Sequence, residues 1–223
     1  MDIGVLKETV AGETRAPLIP FAAGELVKQG NRVVIERGAG VASGFEDPAY
    51  QEMGATIAYS ADEVIARSRT VLKVCPPSWD ECRKLEEGQV VLSFLHLPHT
   101  ARRSLELLVR RRITAIGFEA IETADGDRPV LTAMSEIAGR LVIPIAAHYL
   151  QARQGGKGTL LEGIPGVPPG VVVVLGAGVV GTNAALRAAS VGAQVMVLDR
   201  DIERLRTLER RVLDHASSVT LGV

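Results

Sequence analysis

The sequence predicts an α/β protein of two domains, each built on a parallel sheet. From Asp2 to Phe118, short apolar runs of strand length alternate with stretches of helical periodicity. This alternation is typical of a doubly wound, Rossmann-like sheet with helices on both faces. A polar, turn-forming cluster at 122–129 follows and sets the predicted boundary, with domains at 1–129 and 130–223. After it, one long helix precedes a second, shorter alternation.

Composition excludes several classes of protein. The 223 residues carry 47% hydrophobic and 23% charged residues, which is ordinary for a soluble globular chain with a core. A net charge of −1 gives no reason to expect nucleic acid or an anionic membrane as a partner. No basic leader and no apolar run near the length of a membrane span are recognised, so we expect a cytoplasmic protein. Cys75 and Cys82 stand apart from any histidine cluster, so no metal site is predicted.

In the first domain, each element follows from a local signal. Apolar runs predict strands, and periodic stretches, one with Pro20 suited to its first turn, predict helices. The predicted strands are Asp2 to Leu6, Arg32 to Glu36, Thr70 to Val74, Val90 to Phe94 and Ile113 to Phe118. The predicted helices are Phe21 to Gln29, Asp47 to Met53, Ala61 to Arg67 and Thr100 to Arg111.

The second domain opens with a long helix predicted from Ser135 to Gln151, in which Pro144 suggests a kink. Glycine- and proline-rich connectors at 154–158 and 163–170 come next. The run from Val171 to Leu175 then predicts a strand buried on both faces, as in a parallel sheet.

This strand leads into Gly176-Ala177-Gly178-Val179-Val180-Gly181, a G-x-G-x-x-G motif at the start of a predicted helix. The first glycine permits a tight turn, the second lets the backbone approach a pyrophosphate, and the third lets the helix pack close to the strand. The N-terminus of the helix then offers unpaired N–H groups to the phosphates. The order of strand, glycines and helix predicts a dinucleotide site, although such a turn also occurs in α/β proteins that bind no nucleotide.

A second strand, Gln194 to Leu198, ends in Asp199, 18 residues past the third glycine. An acid in this position accepts hydrogen bonds from the adenosine ribose hydroxyls and repels a 2′-phosphate. The sequence therefore favours NAD over NADP, although Arg200 weakens that preference.

A helix predicted from Ile202 to Leu213 leaves only ten residues, so the second domain is a partial Rossmann dinucleotide-binding domain with little more than one of its two halves. A sheet left half built exposes strand edges and apolar faces. We therefore expect a homo-oligomer or a complementing C-terminal chain.

Several segments together point to a known family. They lie in register from the N-terminus to about Arg206 and include Gly4-Val5-Leu6-Lys7-Glu8, Glu13-Thr14-Arg15, Gly38-Ala39-Gly40, Val71-Leu72-Lys73-Val74, Phe94-Leu95-His96-Leu97, Met134-Ser135-Glu136-Ile137-Ala138-Gly139-Arg140, Gly155-Gly156-Lys157-Gly158, Gly163-Ile164-Pro165-Gly166-Val167 and the glycine motif. In these segments the chain resembles the alanine dehydrogenases and, more distantly, the NAD-binding subunit of proton-translocating transhydrogenases.

The resemblance implies NAD-dependent oxidative deamination of L-alanine to pyruvate and ammonia, with the first domain as the substrate domain. It further implies that Arg15 binds the substrate carboxylate, that Lys73 contacts the carboxylate or carbonyl oxygen, and that His96 is the acid/base. For the cofactor it implies contacts from the long helix, the glycine motif and the strand and helix that follow it. These residues are Met134, Ser135, Gly176, Gly178, Val179, Val180, Gly181, Asp199 and Arg204.

The three substrate-site assignments also have chemical reasons. A guanidinium binds a carboxylate in a bidentate manner, a nearby cation stabilises a developing alkoxide, and an imidazole transfers protons near neutral pH. Without the resemblance, Arg15 would be interpreted as a solvated side chain. Lys73 interrupts an apolar strand, where an unpaired ammonium would be costly to bury.

Two departures from the family leave other functions open. Cys75-Pro76-Pro77 stands where many relatives have a charged residue and a single proline, and the family's second catalytic residue, a later aspartate, has no counterpart here. A non-catalytic NAD-binding or assembly module, or the N-terminal part of a transhydrogenase subunit, are therefore the alternative functions.

Overall fold

The computed structural model describes residues 1–213 and 219–222, and the chain divides into two compact units, Met1–Arg128 and Pro129–Val223. The first unit alternates strands and helices in the order β1 (Asp2–Val5), α1 (Pro20–Lys28), β2 (Arg32–Glu36), α2 (Asp47–Glu52), β3 (Thr56–Ala58), α3 (Ala61–Ala66), β4 (Thr70–Leu72), α4 (Trp79–Lys84), β5 (Val90–Ser93), α5 (Arg102–Arg110) and β6 (Thr114–Gly117). Short 3₁₀ turns occupy Val41–Ser43 and Phe118–Ala120.

These six strands form one parallel sheet in the order β3-β2-β1-β4-β5-β6. The predicted doubly wound α/β fold is therefore confirmed. The strand order reverses between β1 and β4, and ligands of open α/β sheets bind beyond the carboxyl ends of the strands at such a point.

Two apolar clusters cover the two faces of this sheet. Val5, Val33 and Ile35 pack with Tyr50 and Ala23 on one face, and Leu6, Val34 and Val71 pack with residues of α3 and α5 on the other. Neighbouring strand residues thus contribute to opposite faces, as the twofold repeat of a strand requires.

Two elements of this unit were not predicted. β3 is only three residues long, which is too short for an alternating pattern to be recognised. α4 follows two prolines, and its start is marked by a capping box in which Ser78 and Glu81 satisfy each other's backbone N–H groups.

The second unit contains α6 (Pro129–Leu150), a 3₁₀ turn at Ala152–Gln154, β7 (Val171–Leu175), α7 (Val179–Ser190), β8 (Gln194–Leu198), α8 (Ile202–Leu213) and β9 (Val219–Gly222). Its three strands form a parallel sheet in the order β7-β8-β9. The strand β9 was not predicted. The rest of the predicted tail, 214–218 and 223, lies outside the described residues.

The prediction that β7 is buried on both faces is wrong. Val171, Val173 and Leu175 are 60%, 55% and 80% exposed, whereas Val172 and Val174 pack against the cluster beneath α7. The reason is that one face of β7 packs against the α7 cluster, whereas the other face is largely uncovered among the described residues.

The helix α6 begins at Pro129, six residues before its predicted start, because proline suits the first turn of a helix. Within the described part of the chain it is one helix that could cross a membrane by length and composition, which corrects the prediction that no such stretch exists. In the structure it packs on α7, where Ile143 joins Ala184, Ala185 and Ala188 in one cluster. Its Arg140 also donates to the Asn183 side chain at 3.2 Å. These contacts involve one side of α6, whereas Leu141 and Ile145 are half exposed among the described residues.

Candidate functional site

The carboxyl ends of β1, β4 and β5 bring charged and aromatic side chains together at the point where the strand order reverses. Lys73 directly follows β4, and its backbone N–H donates to the Leu92 carbonyl of β5 at 3.0 Å. Glu8 lies beyond β1, and Phe94 and His96 lie beyond β5. Ligand-binding residues are expected at this edge of the sheet.

The Lys73 ammonium is buried and paired. Its side chain is 1% exposed, and its Nζ donates to both carboxylate oxygens of Glu81, at 2.8 and 2.9 Å. The Glu81 oxygen Oε2 also accepts the Ser78 N–H of the capping box. Glu81 thus ties Lys73 to the start of α4 and supplies the charge that makes its burial tolerable.

A second carboxylate lies on the other side of the same ammonium. Glu8 Oε2 is 3.8 Å from Lys73 Nζ, is buried, and has no hydrogen-bond partner. The other oxygen, Oε1, accepts the N–H groups of Val74 and Cys75, at 2.6 and 3.4 Å. Glu8 therefore fixes the backbone that follows Lys73.

Arg15 is held by its neighbour Glu13. The guanidinium donates to both oxygens of Glu13, Nε at 2.8 Å and Nη2 at 2.6 Å, and 49% of its side chain remains exposed. The hydrogen bonds from Arg15 lower the pKa of Glu13 to about 2. Close by, Cys75 Sγ lies 3.5 Å from Glu13, and burial raises the pKa of this thiol to about 11. Cys75 is therefore a protonated thiol and not a nucleophile at neutral pH.

The Phe94 ring joins Arg15 to His96. The Arg15 guanidinium carbon lies 5.8 Å from the ring centroid, and the His96 imidazole stacks on the same ring at 5.8 Å with an interplanar angle of 12°. Phe118 meets Phe94 edge to face at 5.4 Å. A cation and an imidazole are thus presented around one aromatic ring, an arrangement that can bind a small carboxylate and exchange a proton with it.

The structure therefore brings Arg15 and His96 together at the Phe94 ring, and it places Lys73 in a buried ion pair with Glu81. Sequence reasoning missed Glu8, Glu81 and Phe94. The signal for Glu81 was present, because a lysine in an apolar strand demands an acid and Ser78-x-x-Glu81 is a capping-box pattern.

In the second unit, the glycine motif forms a tight turn between β7 and α7. A Cβ on Gly181 would lie 1.8 Å from the Gly176 carbonyl oxygen, so only glycine fits there. A Cβ on Gly178 would meet nothing within 4 Å. The space beside Gly178, at the N-terminus of the twelve-residue α7, is where a pyrophosphate could approach the backbone.

Asp199 at the end of β8 faces this turn. Its two oxygens accept the N–H groups of Asp201 at 2.8 Å and of Ala177 at 2.6 Å, and these bonds lower its pKa. The carboxylate is therefore charged at neutral pH and is fixed beside the glycine turn.

A cavity of about 490 Å³ opens beside the turn. Of the predicted cofactor residues, Gly178, Val179 and Arg204 line it. From α6 the lining residues are Thr132 and Glu136, and not the predicted Met134 and Ser135, which lie between them. Thr207 and Arg211 of α8 were missed, although they follow Arg204 at intervals of three and seven residues and so share its face of the helix.

Across residues 1–213 and 219–222, no three His, Cys, Asp or Glu side chains are grouped so that they could hold a metal ion.

Comparison with protein families gives two matches along the chain. Residues 4–138 match the alanine dehydrogenase/PNT N-terminal domain, and residues 142–220 match the C-terminal domain of the same family. Among curated proteins, the alanine dehydrogenase of Methanococcus maripaludis is 42% identical over 209 residues, and that of Mycobacterium tuberculosis is 41% identical. Each of these alignments covers 94% of this chain and 56% of the relative, so the chain spans little more than half the length of these relatives.

Comparison with solved structures agrees with these family matches. An L-alanine dehydrogenase superposes with a TM-score of 0.90 at 43% identity, covering all of this chain and 60% of that one. A transhydrogenase from Sinorhizobium meliloti has a TM-score of 0.78 at 24% identity, covering all of this chain and 64% of that one, and shares the fold.

Proposed function

The chain belongs to the alanine dehydrogenase/PNT family, and from this premise we propose that it serves the NAD-dependent oxidative deamination of L-alanine to pyruvate and ammonia, and the reverse reaction. The chain does so alone or completed by a further polypeptide segment. The observation that supports the proposal most is the meeting of Arg15 and His96 on the Phe94 ring at the switch point of the first sheet.

In this proposal Arg15 binds the substrate carboxylate. A guanidinium pairs with carboxylates in two parallel hydrogen bonds and thereby orients them. The Nε–Nη2 edge of Arg15 makes such a pair with Glu13, so a substrate carboxylate has to replace Glu13 there or bind at the Nη1–Nη2 end of the guanidinium. Arg15 is partly exposed, so a solute can reach it, and Glu13 fixes the direction of its side chain. The Phe94 ring, which is buried, covers one side of Arg15 and His96 and excludes water there.

His96 transfers the proton. Oxidation of an amino acid to an imino acid and its hydrolysis require a group that accepts and returns protons, and an imidazole does so near neutral pH. His96 is exposed at the end of β5 and is aligned by its stack on Phe94.

Lys73 stabilises negative charge that develops on the substrate oxygen. Its ammonium is bound by Glu81, so a direct contact with substrate requires Lys73 to share its donors between Glu81 and the ligand. An ammonium has three N–H donors, which makes such sharing possible.

The glycine turn, Asp199 and Arg204 fit a dinucleotide. The open space beside Gly178 admits a pyrophosphate at the N-terminus of α7, and the charged Asp199 carboxylate suits ribose hydroxyls and disfavours a 2′-phosphate. We therefore assign NAD as the cofactor. Met134, near the nicotinamide, and Ser135 are further proposed contacts, although neither lines the cavity beside the turn. Bound NAD supplies the acceptor for the substrate hydride.

The test is NADH formation from L-alanine and NAD, and NADH consumption with pyruvate and ammonium. We expect turnover in the parent and in His99→Gln, and a loss of about 100-fold or more in His96→Gln. His99 is the matched control because it is an exposed histidine three residues away. NAD binding in a thermal-shift assay without any turnover would favour the second candidate, a non-catalytic NAD-binding or assembly module.

The proposal includes small-molecule substrates, association of the chain with itself or with a complementing chain, and a cytoplasmic location. Association is supported by the exposed apolar residues of β7. The location is supported by the contacts of α6 with α7, which place Ile143 of this apolar helix in the core of the second unit.

A further inference from the structure

The backbone of His96 has a conformation that only a few non-glycine residues adopt. Its φ angle is +43°, in the left-handed region, where the Cβ of an L-residue crowds the backbone. Such a conformation persists when surrounding contacts enforce it, and it is found preferentially at functional positions. The question is therefore which group enforces it at His96.

The carboxylate of Glu119 is that group. Its Oε1 accepts the N–H of His96 at 2.8 Å, and its Oε2 accepts the N–H of Leu95 at 3.2 Å. Two consecutive backbone N–H groups are thus held by one side chain from the 3₁₀ turn after β6. On the C-terminal side of His96, the N–H groups of His99 and Thr100 donate to the His96 carbonyl at 2.7 and 3.1 Å.

The absence of a side chain at Gly117 leaves room for the Glu119 carboxylate. A Cβ on Gly117 would lie 3.0 Å from Glu119 Oε2, which is tighter than ordinary van der Waals contact. Gly117 ends β6, and it pairs in register with Ser93 at the end of β5. The sheet therefore delivers the carboxylate to the level of the Leu95–His96 backbone.

The charge of Glu119 is suited to this task. Burial would raise its pKa, but the N–H groups of Glu119 itself, His96 and Leu95 outweigh burial and keep the pKa below its ordinary value. The carboxylate is consequently ionised at neutral pH, and both of its oxygens accept hydrogen bonds. It is a poor candidate for an acid or base in its own right.

We propose that Glu119 is a positioning residue for His96: its carboxylate holds the Leu95–His96 backbone in the left-handed turn that lays the imidazole on the Phe94 ring beside Arg15. This inference rests on the proposed function, since it assigns His96 its catalytic role. Without the carboxylate, the turn relaxes and the imidazole loses its alignment to the substrate bound at Arg15.

The test uses two variants that disturb the same contact in different ways. Glu119→Gln keeps the shape but removes the charge and one acceptor, and Gly117→Ala keeps the charge but pushes the carboxylate away. We expect kcat for reductive amination of pyruvate to fall about tenfold or more in both, with KM for pyruvate changed less than about threefold. Glu122→Gln, at an exposed acid three residues away, keeps the parental kcat.

A second measurement is independent of activity. Amide hydrogen exchange of Leu95 and His96, followed by NMR, accelerates in Glu119→Gln and Gly117→Ala and stays parental in Glu122→Gln. Parental kcat in the first two variants overturns the proposal, even if exchange is faster. If the parent chain shows no turnover, either alone or completed by a further segment, the proposed function is contradicted instead. The exchange rates then decide on Glu119, and unchanged rates at both amides overturn its assignment.

Discussion

The Nζ atom of Lys73 lies 2.8 Å from Oε1 and 2.9 Å from Oε2 of Glu81, and both side chains are buried. A buried ion pair is weak as a source of net stability, but the loss of one partner leaves an uncompensated charge. The Lys73 side chain is therefore held in place within the first unit. Any ligand that it contacts has to share the N–H donors of its ammonium with Glu81.

The first prediction concerns this pair. Glu81→Gln keeps a side-chain acceptor for the Ser78 N–H but removes the charge that offsets Lys73. We expect the free energy of unfolding in urea to fall by about 3 kcal/mol, as for other broken buried pairs. The remaining Glu8 carboxylate, at 3.8 Å, limits the loss.

Ser78→Ala is the matched control. It removes the hydroxyl that accepts the Glu81 N–H but leaves the ion pair with Lys73 intact. Loss of such a helix cap costs about 1 kcal/mol. A loss in Glu81→Gln no larger than that in Ser78→Ala would show that Lys73 does not depend on Glu81.

Much of the fold was accessible from the sequence because its strands are short apolar runs at regular intervals. Arg32–Glu36 and Gln194–Leu198 were predicted with their observed bounds. The β3 strand could not be predicted, since three residues carry no periodicity. The burial of β7 was overestimated because a run of valines does not show whether both faces of a strand are covered.

The candidate site was predicted in part, since residue type indicates chemistry but not partners. Arg15, Lys73 and His96 were named, and the family resemblance is confirmed. The roles of Glu81 and Glu119 depend on contacts between elements far apart in the sequence. Glu119 in particular meets His96 across 23 residues, and only the pairing of β5 with β6 brings them together.

A second prediction concerns acid stability at Glu13. Hydrogen bonds from Arg15 lower the pKa of Glu13 from 4.5 to about 2 in the folded protein. Because this pKa is lower in the folded state than in the unfolded state, the ionised Glu13 stabilises the fold at pH values above about 4.5. This contribution is lost as the pH falls from about 4.5 to about 2. The difference in unfolding free energy between the parent and Glu13→Gln should therefore be constant above this range and shrink within it.

The control places the same substitution in an Arg15→Gln background. Without its guanidinium partner, Glu13 has no reason to favour its charged form so strongly in the folded state. Urea titrations at a series of pH values would then give a much smaller acid dependence. An equal acid dependence in both backgrounds would assign it to other carboxylates.

A third prediction separates folding from cofactor binding at the glycine turn. Gly178→Ala places a methyl group in open space, so the thermal unfolding temperature should remain near that of the parent. The same methyl group obstructs a pyrophosphate. A crowded contact costs roughly 1–3 kcal/mol, so NAD affinity measured by calorimetry should fall about tenfold or more.

Gly181→Ala is the contrasting variant, because its methyl group would lie 1.8 Å from the Gly176 carbonyl oxygen. It should reduce both the unfolding temperature and NAD binding. If Gly178→Ala binds NAD as tightly as the parent does, the turn is not the pyrophosphate site.

The last prediction is association through β7. Val171, Val173 and Leu175 expose apolar side chains on one face of an edge strand, and each buried Å² of apolar surface contributes about 25 cal/mol. We expect size-exclusion chromatography with light scattering to give a species larger than the 23.7 kDa of one chain.

A charge on the exposed face of β7 opposes association, so Val173→Lys should shift the species toward 23.7 kDa. Val109→Lys is the control, because Val109 is 76% exposed on α5 of the first unit and is not part of β7, so its replacement should leave the mass unchanged. A parent that remains a monomer at every concentration tested would contradict association through this face. The three apolar side chains would then remain exposed to solvent without a partner surface.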